Sequence, residues 1–119
     1  MAVAPPPMKA PSKWLNDNEL SSHVQGIYWF MFTSWKNVAA STVSPPPTRP
    51  PQKWLVDEEL SSGVRELYRF LQEIVRGIEG NTMNPPPAQP PSKWLDDKDL
   101  SGDVIEMYRF FSEMYNELT

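Results

Sequence analysis

The sequence predicts a mainly α-helical protein in which a single domain, residues 1–119, is built from three tandem repeats at a spacing of 40 residues. Each repeat is expected to contain a polyproline II rod, a short helical corner and a long amphipathic helix. Three observations carry this prediction: one phrase occurs three times, a helical apolar pattern follows each copy, and all 14 prolines lie within the three phrases. The predicted repeats are 5–44, 45–84 and 85–119.

The repeated phrase keeps its register throughout the chain. It reads PPPMKAPSKWLNDNELS in the first copy, PPPTRPPQKWLVDEELS in the second and PPPAQPPSKWLDDKDLS in the third. A unit of this size cannot bury a sufficient core alone, so stacking of neighbouring repeats is expected to stabilise each one. A tryptophan and a tyrosine present in every copy are the expected structural anchors: Trp14, Trp54, Trp94, Tyr28, Tyr68 and Tyr108.

Each phrase opens with a proline segment, the name used here for residues 5–11, 45–51 and 85–91. Consecutive prolines fix φ at about −65° and exclude helix. Each proline segment is therefore expected to form a polyproline II rod of about 7 residues, roughly 22 Å long. A rod of this kind makes no internal hydrogen bonds, so it should lean on aromatic side chains.

The corner follows the prolines, and residue 12, 52 or 92 is expected to open a short helical turn. The serine at 21, 61 or 101 is then expected to N-cap the long helix. A continuous helix from the aspartate is the alternative, since Leu60 is in phase with Val64, whereas Gly63 and Gly102 favour a break. The lysine beside each tryptophan is expected to pair with the aspartate four residues on, as in Lys53 and Asp57.

The long helix is predicted by apolar residues at i, i+3, i+4 and i+7 from Val64 onward. A helix of about 18 residues is about 27 Å long, so a rod could run back along most of it. This geometry resembles the pancreatic-polypeptide fold, in which a proline-rich rod packs on a helix through aromatic contacts. The stretch RELYRFLQEI at 65–74 is similar in style to the helix of that hormone family. The resemblance covers the rod and the helix only and implies no receptor function.

The arrangement of the three units follows from the rods. Because an extended rod brings the chain back before each helix, the three long helices are expected to run parallel in a compact pseudo-threefold three-helix bundle. The apolar arc of each helix is about 160° wide, which leaves room for helix contacts on one flank and a rod on the other. A short open solenoid is the alternative.

Composition argues against an enzyme. The chain has no cysteine and one histidine, so disulfides and thiolate or imidazole metal sites are not expected. Phosphate-cradling glycine loops and EF-hand spacings are missing from the sequence. Adjacent carboxylates such as Asp96 and Asp97 are better explained by the positive end of a helix dipole than by acid–base catalysis. We therefore expect no catalytic activity, cofactor, metal or small-molecule substrate.

Charge and hydropathy argue against two classes of partner, nucleic acids and membranes. The net charge of −4 argues against nucleic acid, and the three repeats carry +1, −1 and −4 in chain order. The N-terminus lacks a signal-peptide pattern, and the longest mainly apolar run, GIYWFMF at 26–32, is too short to span a bilayer. A soluble protein without membrane insertion is expected, cytoplasmic by default.

The functional prediction rests on a departure from the repeat. Positions 29 and 32 point away from the apolar arc on a helical wheel, and the other two repeats place polar residues there: Arg69, Gln72, Arg109 and Ser112. The first repeat has Trp29 and Phe32 instead. Exposed apolar patches usually mark interfaces, and tryptophan is a frequent hot-spot residue. The predicted partner-binding residues are Trp29, Phe32, Gln25 and Lys36.

These residues indicate a structural or protein–protein interaction module that binds a protein partner or its own copies. Internal packing under a neighbouring rod or under the N-terminal tail MAVA is the other explanation of the aromatic pair. Two further functions stay open. The chain could be a subunit or cement-type component of a larger assembly such as a virion. It could also be a proline-rich ligand for SH3-type or WW-type domains, since PTRP at 47–50 contains a PxxP.

Overall fold

A computed structural model describes residues 3–40 and 44–119, and these residues form six α-helices and one 3₁₀ helix. Short and long helices alternate along the chain. The short helices are α1 (Ser12–Leu15), α3 (Gln52–Leu55) and α5 (Ser92–Leu95), and the long ones are α2 (Ser21–Asn37), α4 (Ser61–Ile78) and α6 (Ser101–Leu118). The 3₁₀ helix, Val38–Ala40, follows α2. The described residues contain no β-strand, so the prediction of a mainly helical protein is confirmed.

The short helices begin at the expected residues because proline ends the preceding extended chain. Pro11 has φ −57° and ψ 139°, and its carbonyl accepts hydrogen bonds from Trp14 N at 3.1 Å and Leu15 N at 3.0 Å. The next residue is thus the first that can take helical angles. The same geometry recurs before α3 and α5, where Pro51 and Pro91 have φ of −59° and −56°.

The prediction that serine N-caps each long helix is wrong. An aspartate four residues earlier accepts the backbone hydrogen bonds at the start of the helix instead. Leu20 occupies the N-cap position of α2, and Ser21 is the first helical residue. The carbonyl of Asp17 accepts from Leu20 N and Ser21 N, and its Oδ1 accepts from Glu19 N at 2.8 Å. Asp57 and Asp97 make the corresponding bonds. A turn thus separates the short helix from the long one, and the continuous helix is excluded.

The core lies between the apolar faces of the long helices. Its largest fully buried side chains include Phe30, Phe70, Phe110 and Phe111, and the rings of Phe70 and Phe111 are 5.4 Å apart between centroids. The radius of gyration is 13.6 Å. A compact chain of this length is expected to have about 13.5 Å, so the described residues form one globule.

Three tryptophans meet where the short helices converge. Trp14, Trp54 and Trp94 are at most 3% exposed. Their ring centroids are 4.9–5.1 Å apart in all three pairs, with interplanar angles of 60–64°. Edge-to-face contacts of this kind add to the gain from burial. The cluster therefore joins the first and last parts of the chain directly, as well as sequence neighbours.

Two proline segments are hydrogen-bonded to a long helix of another repeat. The third segment is bonded to α4, which precedes it, and the first is bonded to α6, the last helix of the chain. Arg69 Nη2 of α4 donates to Pro85 O at 2.9 Å, and Glu73 Oε1 accepts from Asn84 N at 2.7 Å. The proline segment ends close to the start of the same helix, where a Cβ on Gly63 would lie 2.7 Å from Pro91 Cγ. The third proline segment thus runs back along α4.

The first proline segment is held by α6 in the same way. Arg109 Nη2 donates to Pro5 O at 3.0 Å, and Glu113 Oε1 accepts from Ala4 N at 2.9 Å. The last helix of the chain therefore binds the first proline segment. Within the described ranges, no helix is long and apolar enough to cross a membrane.

Replacing Trp54 by alanine should lower the free energy of unfolding by about 3–5 kcal/mol, because it deletes a buried aromatic ring with two ring partners. Trp29→Ala is the matched control, since Trp29 is 63% exposed, and it should change stability by about 0.5 kcal/mol or less. Urea denaturation of both variants measures the difference. Equal losses in the two variants would contradict the buried cluster.

Candidate functional site

The exposed face of α2 carries the aromatic pair that the sequence singles out. Trp29 is 63% exposed and Phe32 is half-buried, with 6.2 Å between their ring centroids. The N-terminal tail, described from Val3 onward, and the proline segments leave Trp29 uncovered. Solvent exposure of a large indole is unfavourable in the isolated chain, so this face is the strongest candidate for a contact surface.

A third ring extends the pair along the helix. Trp35 lies one turn beyond Phe32, with 6.3 Å between the ring centroids, and its Nε1 donates to Val3 O at 3.1 Å. Lys36 Nζ sits 5.6 Å from the centroid of Phe32, within range of a cation–π contact. The aromatic row, defined as Trp29, Phe32 and Trp35, therefore has a cation over its middle ring.

A groove runs beside this row between α2 and the first proline segment. It has a volume of about 480 Å³. Met8, 70% exposed, lies on the proline side, and Gln25 lies on the helix side, where its Nε2 donates to Ser21 Oγ at 3.1 Å. The residues that line the groove are Pro7, Met8, Lys9, Ala10, Leu15, Gln25, Tyr28, Trp29 and Phe32.

The structure brings three of the four predicted partner-binding residues, Trp29, Phe32 and Gln25, to one groove, and Lys36 contacts Phe32 beside it. Sequence reasoning missed Trp35, Met8 and Lys9. A signal existed for Met8, because the equivalent positions carry Thr48 and Ala88. Lys9 offered no such signal, since its place on the groove depends on tertiary packing.

Two positions of α2 lack the polar groups that, on α4 and α6, bind a proline segment or the residue just before it. Trp29 stands at the position of Arg69 and Arg109, and Thr33 at that of Glu73 and Glu113. Neither α2 residue is hydrogen-bonded to the second proline segment, and Thr33 Oγ1 donates to Phe30 O instead. The first long helix thus lacks both polar anchors that the other two use, and its position 29 is free for another contact.

The three tyrosines predicted as anchors are buried. Tyr28, Tyr68 and Tyr108 are 5–7% exposed, and their hydroxyls have no hydrogen-bond partner among the described residues. Burial raises the pKa of all three phenols above the ordinary value, because an ionised oxygen would lose its hydration. They therefore act as neutral packing groups, with Tyr28 also forming part of the groove floor.

The lysine beside each tryptophan pairs across segments, so the expected pairing four residues on is wrong. The i, i+4 rule requires a continuous helix, and the short helix ends before the aspartate. Each lysine Nζ instead donates to the aspartate Oδ2 of the preceding 40-residue segment, and the first segment pairs with the third. The bonds are Lys13–Asp97 at 2.6 Å, Lys53–Asp17 at 2.5 Å and Lys93–Asp57 at 2.5 Å.

These ion pairs form a ring around the tryptophan cluster, named here the Lys–Asp ring. Hydrogen bonds from lysine hold the pKa of Asp17, Asp57 and Asp97 below the ordinary range. The same bonds raise the pKa of Lys13, Lys53 and Lys93. All six side chains remain solvated, so each pair contributes little alone, and the ring mainly fixes which segments are neighbours.

Two other kinds of polar cluster were candidates for chemistry, namely groups of metal-ligating side chains and adjacent carboxylates. No group of three His, Cys, Asp or Glu side chains close enough to hold a metal ion occurs in residues 3–40 and 44–119. Of the adjacent carboxylates, Asp97 is bound to Lys13, while Glu59 Oε1 is 3.6 Å from Lys93 Nζ.

Comparisons of the chain with protein-family models, curated proteins and solved structures found no match.

The Lys–Asp ring should stabilise the protein over a defined pH window. Aspartates with a lowered pKa contribute stability above their unfolded pKa of about 3.9 and lose it as the pH falls. Lysines with a raised pKa keep their contribution until the pH exceeds about 10.4. Lys53→Met should therefore lower the urea midpoint at pH 7, and the gap from wild type should close on acidification below about pH 4.

Lys98→Met is the control, since Lys98 has no ion pair among residues 3–40 and 44–119 and its neighbour Asp97 is bound by Lys13. This variant should leave the urea midpoint close to the wild-type value at both ends of the pH series. A Lys53→Met gap that persists unchanged to pH 3 would show that the ring is not the source of the effect.

Proposed function

We propose that this chain is a non-enzymatic protein-interaction module that binds a protein partner through the outer face of α2. In this proposal, three repeats form a closed pseudo-threefold bundle whose long helices are buttressed by polyproline II rods. The bundle serves as a rigid support, and the departures of the first repeat from the other two supply the binding surface.

Contacts between the first and third segments support the closed bundle over the open solenoid. The ring of Trp14 is 4.9 Å from that of Trp94, and Lys13 is bonded to Asp97. An open stack would keep the contacts between sequence neighbours and lose these two. The bond that Arg109 donates to Pro5 O and the bond that Glu113 accepts from Ala4 N, just before the first proline segment, belong to the same closing interface.

Backbone geometry supports the rods. The φ and ψ of Pro11, Pro51 and Pro91 are near −57° and 139°, close to the polyproline II values of about −75° and 145°. A polyproline II helix leaves its carbonyls without internal partners. The bonds that Arg69 and Arg109 donate to proline carbonyls satisfy part of this need.

The observation that carries the function is the 63% exposure of Trp29 beside Phe32, at a position where the other repeats have arginine. Interface hot spots are enriched in tryptophan, and their central residues gain energy when a partner excludes water. The acidic third repeat, net −4, offers a second and electrostatic contact that high salt should weaken.

The double variant Trp29→Arg, Phe32→Gln tests the face, because it installs the residues of the second repeat at the same positions. Affinity capture from the native extract, compared by quantitative mass spectrometry, should show a partner that wild type retains and the variant loses. Circular dichroism should show that the variant is folded. Trp29→Arg alone is the milder version, should Phe32→Gln disturb the half-buried site.

Ile105→Arg is the matched control. It also removes an exposed apolar side chain, 54% accessible, and installs the arginine that the second repeat has at position 65. The control should capture the same partner as wild type. If the wild type, the control and the double variant all capture the same proteins, the aromatic pair contributes nothing to binding and the proposed face is wrong.

A further inference from the structure

The way this molecule holds its own proline segments shows what its helix surfaces recognise. On α4, the guanidinium of Arg69 donates to Pro85 O, and on α6 that of Arg109 donates to Pro5 O. The close approach of Pro91 to Gly63 adds ring-to-backbone packing. The recognition therefore combines apolar contact with prolines and an N–H donor aimed at a carbonyl that the extended chain cannot satisfy itself.

The groove on α2 offers the same chemistry to an external segment. Phe32 and Trp29 provide aromatic walls, Pro7 lies on the opposite side, and the indole of Trp29 is an N–H donor with no partner in the described part of the chain. The centroids of the aromatic row are 6.2 and 6.3 Å apart. Two residues of a polyproline II helix rise about 6.2 Å along its axis, so neighbouring prolines of such a ligand can contact Trp29 and Phe32 in turn.

Charge selects among proline-rich ligands. Lys9 lines the groove and Lys36 Nζ lies 5.6 Å from the centroid of Phe32 beside it, whereas the lining residues include no carboxylate. The first repeat is the only one with a net positive charge, +1, in a chain of −4. A ligand that carries a carboxylate beside its prolines complements this rim, and a basic one is repelled.

A second copy of the chain does not supply such a ligand. The variable residues of its proline segments are Met8, Lys9 and Ala10 in the first, Thr48 and Arg49 in the second, and Ala88 and Gln89 in the third. None of these residues is acidic. The charge of the groove therefore favours another protein over self-association through a proline segment.

We infer that the groove between α2 and the first proline segment binds an extended, proline-rich and acidic segment of another protein. The inference rests on the proposed function and names the class of partner. The prolines of the ligand pack on Trp29 and Phe32, one of its carbonyls accepts from Trp29 Nε1, and its carboxylate lies near Lys9.

Peptide titration of the full chain tests this assignment, with the affinity of every variant measured by isothermal titration calorimetry and the indole N–H signal of Trp29 followed by NMR in the proteins that keep this residue. The probe is the peptide PPPDEPP, which keeps the spacing of the chain's own proline segments and adds two carboxylates. GGGDEGG is the control for polyproline structure, and PPPKKPP is the control for charge. PPPDEPP should bind at least about tenfold more tightly than either control, and Trp29→Arg should weaken its binding by a similar factor.

Two further variants distinguish binding in the groove from non-specific binding elsewhere on the surface. Ile105→Arg, outside the groove, should leave the affinity for PPPDEPP within about twofold of wild type, a change too small to count as a hot spot. Lys9→Glu changes an exposed side chain and should reverse the preference, so that PPPKKPP becomes the tighter ligand.

Equal binding of GGGDEGG and PPPDEPP would overturn the inference, as would unchanged affinity in Trp29→Arg. A Trp29 signal that moves with protein concentration and not with peptide would also overturn it, since the occupant would then be a second copy. If no proline peptide binds but the double variant Trp29→Arg, Phe32→Gln still loses its captured partner, the inference about the ligand is wrong and the proposed function stands. If the double variant also loses nothing, the proposed function fails with it.

Discussion

The meeting of three indole rings is the constraint on which the rest of the structure depends. No segment of about 40 residues can bury a core by itself, and each corner supplies one tryptophan whose burial requires the other two. The rings of Trp14, Trp54 and Trp94 lie within 5.1 Å of one another. Once they meet, the long helices are brought together at their N-terminal ends, and their phenylalanines fill the core between them.

The polar contacts at the edge of this cluster set the order of the segments. Each lysine reaches the aspartate of the preceding segment, and that aspartate also accepts a backbone N–H at the entry to a long helix, as Asp17 does from Glu19. One carboxylate thus connects the local turn with the neighbouring segment. The arrangement leaves the outer faces of the helices free to vary, and α2 is where they differ most, with Trp29 and Thr33 in place of the arginine and the glutamate that bind the chain near a proline segment on α4 and α6.

Much of the fold could be predicted because its determinants are local. Proline excludes helix at fixed positions, and the 3.6-residue period marks the long helices, so the corners at 12, 52 and 92 and the exposure of Trp29 followed from the pattern. The lysine pairing could not be predicted, because Lys53 and Asp57 lie on different sides of a helix end. The groove could not be predicted either, because Met8 and Lys9 lie beside α2 only through the tertiary packing of the first proline segment.

Closure of the chain through its tryptophans is most directly tested by nuclear Overhauser contacts between indole rings in the native protein. A closed ring predicts contacts among all three rings, including Trp14 with Trp94, whose centroids are 4.9 Å apart. An open stack would give the contacts of Trp54 with Trp14 and with Trp94 and none between the first and last tryptophans. Absence of the contact between Trp14 and Trp94 would contradict the closed bundle and the rigid support that it gives to the aromatic face.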